Sequence, residues 1–360
     1  MVNIKNFDNI RIVALISVLL VHTVLYNVGM SKFSIELSEL SFHKNYSQLL
    51  LWSLYVNVFK SGTILFFIMS GFLFEMQFVK FNSFSVFIKK KAKSLLRPYL
   101  ILFVIPTFII IWIIEPNFGV QESYNLYLIF IKTIEGIFLT NYWFVPALFV
   151  TLLINFFIKT KYVLKSLILF IPIWMLTYAN LYFKFVLTTA HTVWFIGFFF
   201  IFTLGRLMYL YNDRIFNIKL LKNKKQLFLI TIIFYVLSNI DSILILKYGH
   251  NADYLNTLRM GNILYSFSLF YLLNSLFNDF KFVIPIDVSF YFIYLIHPFV
   301  LKISDYFLAK NNILFFNYPS QFIYSILHFL IVITSCVLVQ QLFFKLRYKS
   351  KPVSQYVLKK

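Results

Sequence analysis

The sequence is poor in charged residues and has almost no cysteine. Only 13% of its 360 residues are charged, whereas 60% are hydrophobic. A soluble domain of this length needs far more polar side chains to cover its surface, so that class is excluded. The single cysteine, Cys336, lies in the apolar stretch Ile331–Val339, which rules out an intrachain disulfide and metal-type cysteine spacings. We therefore predict that Cys336 is a buried structural thiol, and we predict no metal site.

Long apolar runs indicate a chain that crosses a membrane many times. Several of them reach the roughly 20 residues that span a bilayer core. We predict an all-α polytopic membrane bundle of about ten transmembrane helices, forming one domain over residues 1–360 without a soluble extracellular domain. The expected spans are residues 10–29, 60–79, 98–115, 143–158, 166–183, 192–209, 227–246, 261–278, 285–301 and 319–344. The first remains a helix because no small-residue cleavage site follows it.

The positive charge is unevenly distributed along the chain. Its net charge is +20, and 24 of the 33 Lys and Arg residues fall in alternate connecting segments. Those segments are residues 1–11, 80–97, 159–165, 206–225, 279–284 and 345–360. Because basic loops stay in the cytoplasm, this asymmetry predicts that both termini are cytoplasmic. Solvated loops beside the lipid surface then explain most of the charge without a nucleic-acid partner.

The first predicted span carries two ionisable residues, Arg11 and His22. Eleven residues turn a helix through about 1100°, about 20° past three full turns, and rise roughly 16 Å. Arg11 and His22 therefore project from one face, with Arg11 at the cytoplasmic entrance and His22 near mid-membrane. An ionisable group at that depth is costly and is by default a functional hypothesis. The alternative is a histidine that only hydrogen-bonds to a neighbouring helix.

A basic cluster follows the second span and consists of Lys89, Lys90, Lys91, Lys93 and Arg97. Such a cluster can be simply a topogenic cytoplasmic loop. The spacing of Lys90, Lys93 and Arg97, however, predicts three cations on one helical face where the chain re-enters the membrane. That face would suit a phosphate-rich cytosolic cofactor.

A further histidine, His297, precedes Pro298 in the ninth span at about the depth of His22. Pro298 removes a backbone hydrogen bond and can open the helix beside it. Two histidines at one depth predict a shared polar cavity, although spacing alone does not exclude interhelical hydrogen bonding as the role of both. The other histidines are expected to be ordinary surface, helix-end or structural residues; they are His43, His191, His250 and His328.

Five segments, in order, resemble the signatures of the acyltransferase 3 family of bacterial membrane O-acyltransferases. They are Phe7–Arg11 with His22, Phe66–Leu73 with the letters FFIMSGFL, the basic stretch Lys89–Tyr99, Tyr142–Leu148 with the letters YWFVPAL, and Val288–Pro298 ending in YLIHP. The resemblance covers almost the whole chain. Where many family members have Arg-x-x-Arg, this chain reads Lys91–Ala92–Lys93–Ser94, with Arg97 one turn later.

The resemblance implies acyl transfer, commonly acetyl, from cytoplasmic acyl-CoA to a hydroxyl of a carbohydrate or another acceptor. It implies that His22 is catalytic, that Arg11 is its partner, and that Lys91–Arg97 binds the acyl-CoA. His22 is expected to act as a general base or to carry the acyl group covalently. His297 is the second predicted catalytic residue, orienting the acceptor or stabilising the oxyanion. Arg11, Lys90, Lys91, Lys93 and Arg97 are predicted to bind the CoA phosphates.

We accordingly predict a multi-pass O-acetyltransferase in a bacterial cell membrane that uses acetyl-CoA. Its expected acceptor is a cell-surface polysaccharide or its lipid-linked precursor, and the sequence gives no oligomeric state. A polysaccharide transporter or flippase is the first alternative, but it predicts Arg and Lys scattered through the spans. A polysaccharide polymerase is the second, and it predicts a large outer loop with paired Arg motifs, whereas Met30–Phe59 contains no Arg.

Overall fold

All regular elements in the described part of the chain are helices, which confirms the all-α prediction there. The computed structural model describes residues 3–30, 46–81, 83–104, 143–183, 185, 194–216, 223–249, 254–278, 289–310 and 318–349. The helices are α1 (Phe7–Met30), α2 (Tyr46–Phe59), α3 (Gly62–Phe78), α4 (Phe84–Lys91), α5 (Phe144–Phe156), α6 (Val163–Phe183), α7 (Phe198–Leu210), α8 (Asn212–Phe216), α9 (Lys224–Tyr248), α10 (Met260–Leu276), α11 (Phe290–Lys310) and α12 (Tyr318–Lys349).

Within the residues that the structure describes, four helical segments are long and apolar enough to cross a membrane. They are Ser53–Phe78, Thr160–Phe183, Lys224–Tyr248 and Ser325–Lys345. Three shorter apolar helices accompany them: Phe144–Phe156, Phe195–Leu210 and Phe290–Leu301. The helices depart from the predicted spans mainly at their ends. The second expected span, residues 60–79, corresponds to α3 (Gly62–Phe78), and the apolar segment that includes it begins earlier, at Ser53 of α2. Most of the third predicted span lies outside the described residues.

The core is built around a close crossing of α3 and α7. Gly71, from the segment FFIMSGFL, lies against the backbone of Phe202, and Gly205 lies against the backbone of Ile68. A β-carbon at either glycine would overlap a carbonyl oxygen of the opposite helix. Small residues let membrane helices approach this closely, so dispersion contacts replace the hydrophobic effect that water would supply. The glycine of this motif therefore has a packing role.

A buried ion pair fastens the same crossing one turn further along. Arg206 Nε donates to Glu75 Oε2 at 2.6 Å, and both side chains are almost fully buried. The remaining Arg206 donors reach the carbonyls of Asn155 and Ile158, while Thr160 Oγ1 donates to the second Glu75 oxygen. Arg206 was counted among the solvated charges of the segment 206–225, although the expected span 192–209 also includes it, and the solvated interpretation is wrong. Because its charge is neutralised inside the bundle, Arg206 does not belong to the topogenic charge.

A second buried polar network joins α2, α9 and α10 through Arg259. The Arg259 guanidinium is fully buried and donates to Asn57 Oδ1 at 2.6 Å, to the Ser238 carbonyl at 2.7 Å and to the Ser242 hydroxyl. Asn57 in turn donates to Asn239 and Ser242. The helix Tyr46–Phe59 is thus anchored inside the bundle through Asn57.

The first helix, α1, occupies the centre of the arrangement. It packs against α2, α3, α10, α11 and α12, and its apolar residues Ile10, Ala14 and Leu19 are completely buried. Cys336 of α12 is also fully buried, as predicted. This central position brings the polar residues of α1 into contact with several other helices.

Candidate active site

The two histidines predicted to share a cavity are in direct contact. His22 Nδ1 on α1 lies 2.8 Å from His297 Nε2 on α11, a hydrogen-bond distance. His297 Nδ1 lies 2.6 Å from the carbonyl oxygen of Tyr294 in its own helix. His297 is fully buried, whereas His22 keeps some exposed surface. These two contacts therefore join the Tyr294 carbonyl, His297 and His22 in series.

His22 forms part of the wall of a pocket between the helices. The pocket encloses about 310 Å³ of empty space, counting the space at its mouth. Its polar and aromatic wall also includes Lys60, Thr63, Trp143 and Thr257. Lys60 is only 8% exposed, so its charge lies at the pocket rather than in solvent. The wall thus combines an aromatic residue with polar ones, the mixture typical of small-molecule sites.

This pocket was not apparent from spacing alone, and Lys60 was missed. Lys60 stands at the start of the predicted second span, and so did not count as an intramembrane charge. Its signal was an isolated cation beside an apolar run that is otherwise free of Lys and Arg. Trp143, in contrast, begins the segment YWFVPAL, which the family resemblance had already singled out.

The basic segment lies beyond the other end of α3. Lys60 and Thr63 stand where α3 begins, and α3 ends at Phe78; its 17 residues span roughly 26 Å. Lys89, Lys90, Lys93 and Arg97 then follow, and all four are exposed. In sequence, α3 thus runs from the pocket residues to the turn that precedes α4 and the basic segment.

The basic segment is not the uniform α-helix assumed from its spacing. It contains two π-helical turns, Ala92–Leu96 and Leu100–Val104. In the first, the Arg97 N–H donates to the Ala92 carbonyl five residues back. Pro98 lacks an N–H and cannot supply the α-type bond to the Ser94 carbonyl, which favours this local rewinding. π-Helical turns occur often at functional sites because they re-aim side chains.

The segment is tied to the helix that carries His297. Tyr291 Oη on α11 donates to the Leu95 carbonyl at 2.6 Å, within the first π-helical turn. Six residues separate Tyr291 from His297, which is about 9 Å along the helix axis. The backbone of the basic segment at Leu95 is therefore tied to α11 within two helical turns of His297, measured along that helix.

Lys91 differs from the other lysines of the cluster. It is half-buried, and burial together with the neighbouring charge of Lys90 lowers the pKa of its ammonium. Arg11 is also separate from the cluster: its Nη1 lies 2.5 Å from Asp8 Oδ1, one turn earlier in α1. Within the described part of the chain, no hydrogen bond or ion pair joins Arg11 to Lys90–Arg97. A shared donor site made by Arg11 and this segment stays a prediction.

His328, expected to be structural, donates to or accepts from the Ser304 hydroxyl at 2.6 Å and so joins α12 to α11. His43, His191 and His250 lie outside the described residues.

Comparison with known proteins supplies the family. The family model described as an acyltransferase domain, Acyl_transf_3, matches residues 4–342. No curated protein and no solved structure matched the chain. The matched region contains the histidine pair, the pocket residues and the basic segment, and it covers nearly the whole chain. Taken with its membrane-length apolar helices, this match shows that the chain belongs to the acyltransferase 3 family of membrane acyltransferases.

Proposed function

We propose that the protein is an O-acetyltransferase that moves an acetyl group from cytoplasmic acetyl-CoA to a hydroxyl of a cell-surface polysaccharide or its lipid-linked precursor. The observation that carries this proposal is the contact between His22, in the wall of a pocket, and the buried His297 behind it, within a chain of an acyltransferase family. An imidazole held in place beside a cavity is suited to moving a proton between an attacking hydroxyl and a leaving group.

The donor would bind at the basic segment. The phosphates of CoA are polyanionic, and the exposed cations Lys90, Lys93 and Arg97, with Lys91 beside them, provide matching charge. The bond from Tyr291 to Leu95 supports a path from these cations towards His297. Arg11 begins the same helix as His22 and is assigned to this donor side.

The acceptor would enter the pocket at the opposite end. Its wall combines the aromatic Trp143 with the polar residues Thr63 and Thr257, a mixture of apolar and polar groups that suits a sugar ring. Donor and acceptor would therefore approach His22 from opposite ends of the bundle. That geometry suits a group carried from the cytoplasm to a glycan on the outer side.

The proposed topology places this reaction across the bacterial plasma membrane. It has about ten spans and two cytoplasmic termini, as the distribution of basic segments predicts. Labelling of single introduced cysteines in right-side-out and inverted vesicles tests it. Arg97 replaced by cysteine should react only in inverted vesicles, and the exposed Lys247, near the C-terminal end of α9, replaced by cysteine only in right-side-out vesicles.

The test of the activity uses purified protein in proteoliposomes with acetyl-CoA labelled in its acetyl group. Transfer of label to the glycan, or slow release of labelled acetate, is expected for the wild type. His22→Ala should abolish both while the protein still inserts. His328→Ala is the matched control, because it removes another buried histidine and should keep the activity. Normal transfer by His22→Ala would refute the assignment. A flippase or a polymerase would consume no acetyl-CoA at all.

A further inference from the structure

We propose that Pro298 and His297 fix the tautomer of His22, so that His22 presents an unprotonated Nε2 to the pocket. On this inference, which rests on the proposed transferase function, His297 is a positioning residue and transfers no proton itself.

Pro298 leaves one backbone carbonyl of α11 without its usual partner. In an α-helix the carbonyl of residue 294 accepts from the N–H of residue 298. Residue 298 is a proline inside α11 and has no N–H to give. The Tyr294 carbonyl instead faces His297 Nδ1 at 2.6 Å. Pro298 thus leaves the Tyr294 carbonyl able to accept another hydrogen bond, and His297 places its Nδ1 against that carbonyl.

The Tyr294 contact decides where His297 carries its proton. A carbonyl oxygen only accepts, so His297 Nδ1 must be the donor. The partners that the structure gives this fully buried ring are a carbonyl and another imidazole, neither of them an anion. A buried imidazolium would be costly there, so the ring is neutral. Neutral His297 then has a lone pair on Nε2.

The position of the proton on His22 follows in the same way. Since His297 Nε2 accepts, His22 Nδ1 must donate across the 2.8 Å contact. The two rings are inclined by only 12° and their centroids are 5.1 Å apart. Rings so nearly parallel, at that separation, meet edge to edge, and the N–H points along the lone pair of its partner. Neutral His22 therefore keeps its Nε2 unprotonated, because the bond that Nδ1 makes sets which nitrogen carries the proton.

This tautomer is the one that acyl transfer requires. The acceptor hydroxyl gives its proton to His22 Nε2 while its oxygen attacks the thioester carbonyl carbon of acetyl-CoA. When the tetrahedral intermediate collapses, the carbon–sulfur bond breaks and the same proton passes from Nε2 to the departing sulfur. During the step the charged His22 ring keeps its Nδ1–H bond to His297, which stabilises it. If His22 instead carries the acyl group, its unprotonated Nε2 is again the attacking atom.

The experiment compares two replacements of His297 by steady-state kinetics in proteoliposomes. The His297→Gln side chain can accept from His22 Nδ1–H and donate to the Tyr294 carbonyl, whereas the His297→Leu side chain can do neither. We expect His297→Leu to lower kcat on the order of 100-fold and to leave KM for acetyl-CoA unchanged. This loss lies between that for removing a hydrogen-bond partner that orients a histidine and that for a catalytic histidine held in the wrong tautomer. We expect His297→Gln to stay within roughly 10-fold of the wild type.

Pro298→Ala supplies a second variant, with Pro172→Ala on α6 as its matched control. The alanine restores an N–H that competes for the Tyr294 carbonyl, so kcat should fall several-fold, while Pro172 is an exposed helix proline whose replacement should change nothing. Equal inactivity of the Gln and Leu variants would overturn the proposal, because His297 would then be moving a proton. Full activity of the Leu variant would overturn it as well.

A spectroscopic measurement separates this inference from the proposed function. In protein labelled with ¹⁵N-histidine, the His22 resonances, assigned by difference from His22→Ala, should show Nδ1 protonated and Nε2 unprotonated at neutral pH. A protonated Nε2 would overturn the tautomer assignment whether or not the protein is active. Failure of wild-type protein to transfer acetyl would instead refute the proposed function, and the nitrogen shifts would remain as expected.

Discussion

Replacing Gly71 by alanine should loosen the crossing of α3 and α7. The new β-carbon would overlap the Phe202 carbonyl oxygen and would lie 3.0 Å from its carbon and 3.1 Å from the Arg206 backbone nitrogen. These atoms belong to backbone and cannot rotate away. The helices must therefore move apart by about 1 Å to restore ordinary contact.

The cost follows from what this movement disturbs. Overpacking of this kind costs about 1–3 kcal/mol. Moving the helices about 1 Å apart also stretches the 2.6 Å bond between Arg206 and Glu75 beyond hydrogen-bond range. Losing a buried pair completely costs about 3–5 kcal/mol, of which side-chain adjustment recovers a part. Alanine returns about 1 kcal/mol through its better helix propensity. We expect a net loss of about 3 kcal/mol.

The measurement is the free energy of unfolding in mixed micelles, with Ser70→Ala as the control. Ser70 is the adjacent residue of the same segment, and its replacement adds no atom to the crossing. Gly205→Ala, at the reciprocal position, should match Gly71→Ala. If Gly71→Ala unfolds within about 0.5 kcal/mol of the wild type, as an ordinary surface substitution does, the close crossing does not stabilise the fold.

Three further outcomes test the two ends of the site. Lys93→Gln or Arg97→Gln should each raise KM for acetyl-CoA about 10-fold, the equivalent of one charge-assisted hydrogen bond, and leave kcat unchanged; Lys89→Gln is the control, and equal effects of all three would mean only general attraction. Because the pKa of Lys91 is lowered, its positive charge is lost as pH rises through a value below the ordinary 10.5. The KM for acetyl-CoA should therefore rise at alkaline pH, and Lys91→Arg should remove that rise; an unchanged pH profile would exclude Lys91 from the donor site. Lys60→Gln should alter KM for the acceptor and leave KM for acetyl-CoA unaffected, and the reverse pattern would place the donor in the pocket.

The histidine pair shows how far the sequence reached and where it stopped. Counting residues along helices placed His22 and His297 at a common depth, and the order of the motifs suggested the family. Their contact also depends on α1 and α11 being neighbours. That adjacency arises from packing among many helices, and no spacing within one helix encodes it.

The buried charges show a different limit. Arg206 was counted with a loop because hydropathy locates the ends of spans only to within several residues, and Arg206 lies near the end of the expected span 192–209. Its partner Glu75 is 131 positions away in sequence. The importance of Gly71 was recognisable from its motif, but its reason was not, since a close approach of two backbones has no one-dimensional signature.

The attachment of Tyr291 to Leu95 has a consequence for how this protein can be redesigned. Tyr291 and His297 lie on the same helix, so α11 fixes the distance between the basic segment and His297, which contacts His22. Inserting a single residue between them would turn His297 by about 100° and shift it about 1.5 Å relative to Tyr291. The Tyr291–Leu95 contact or the His297–His22 contact could be kept, but not both. Side chains along this stretch can be exchanged to suit new substrates, while its length is fixed by geometry.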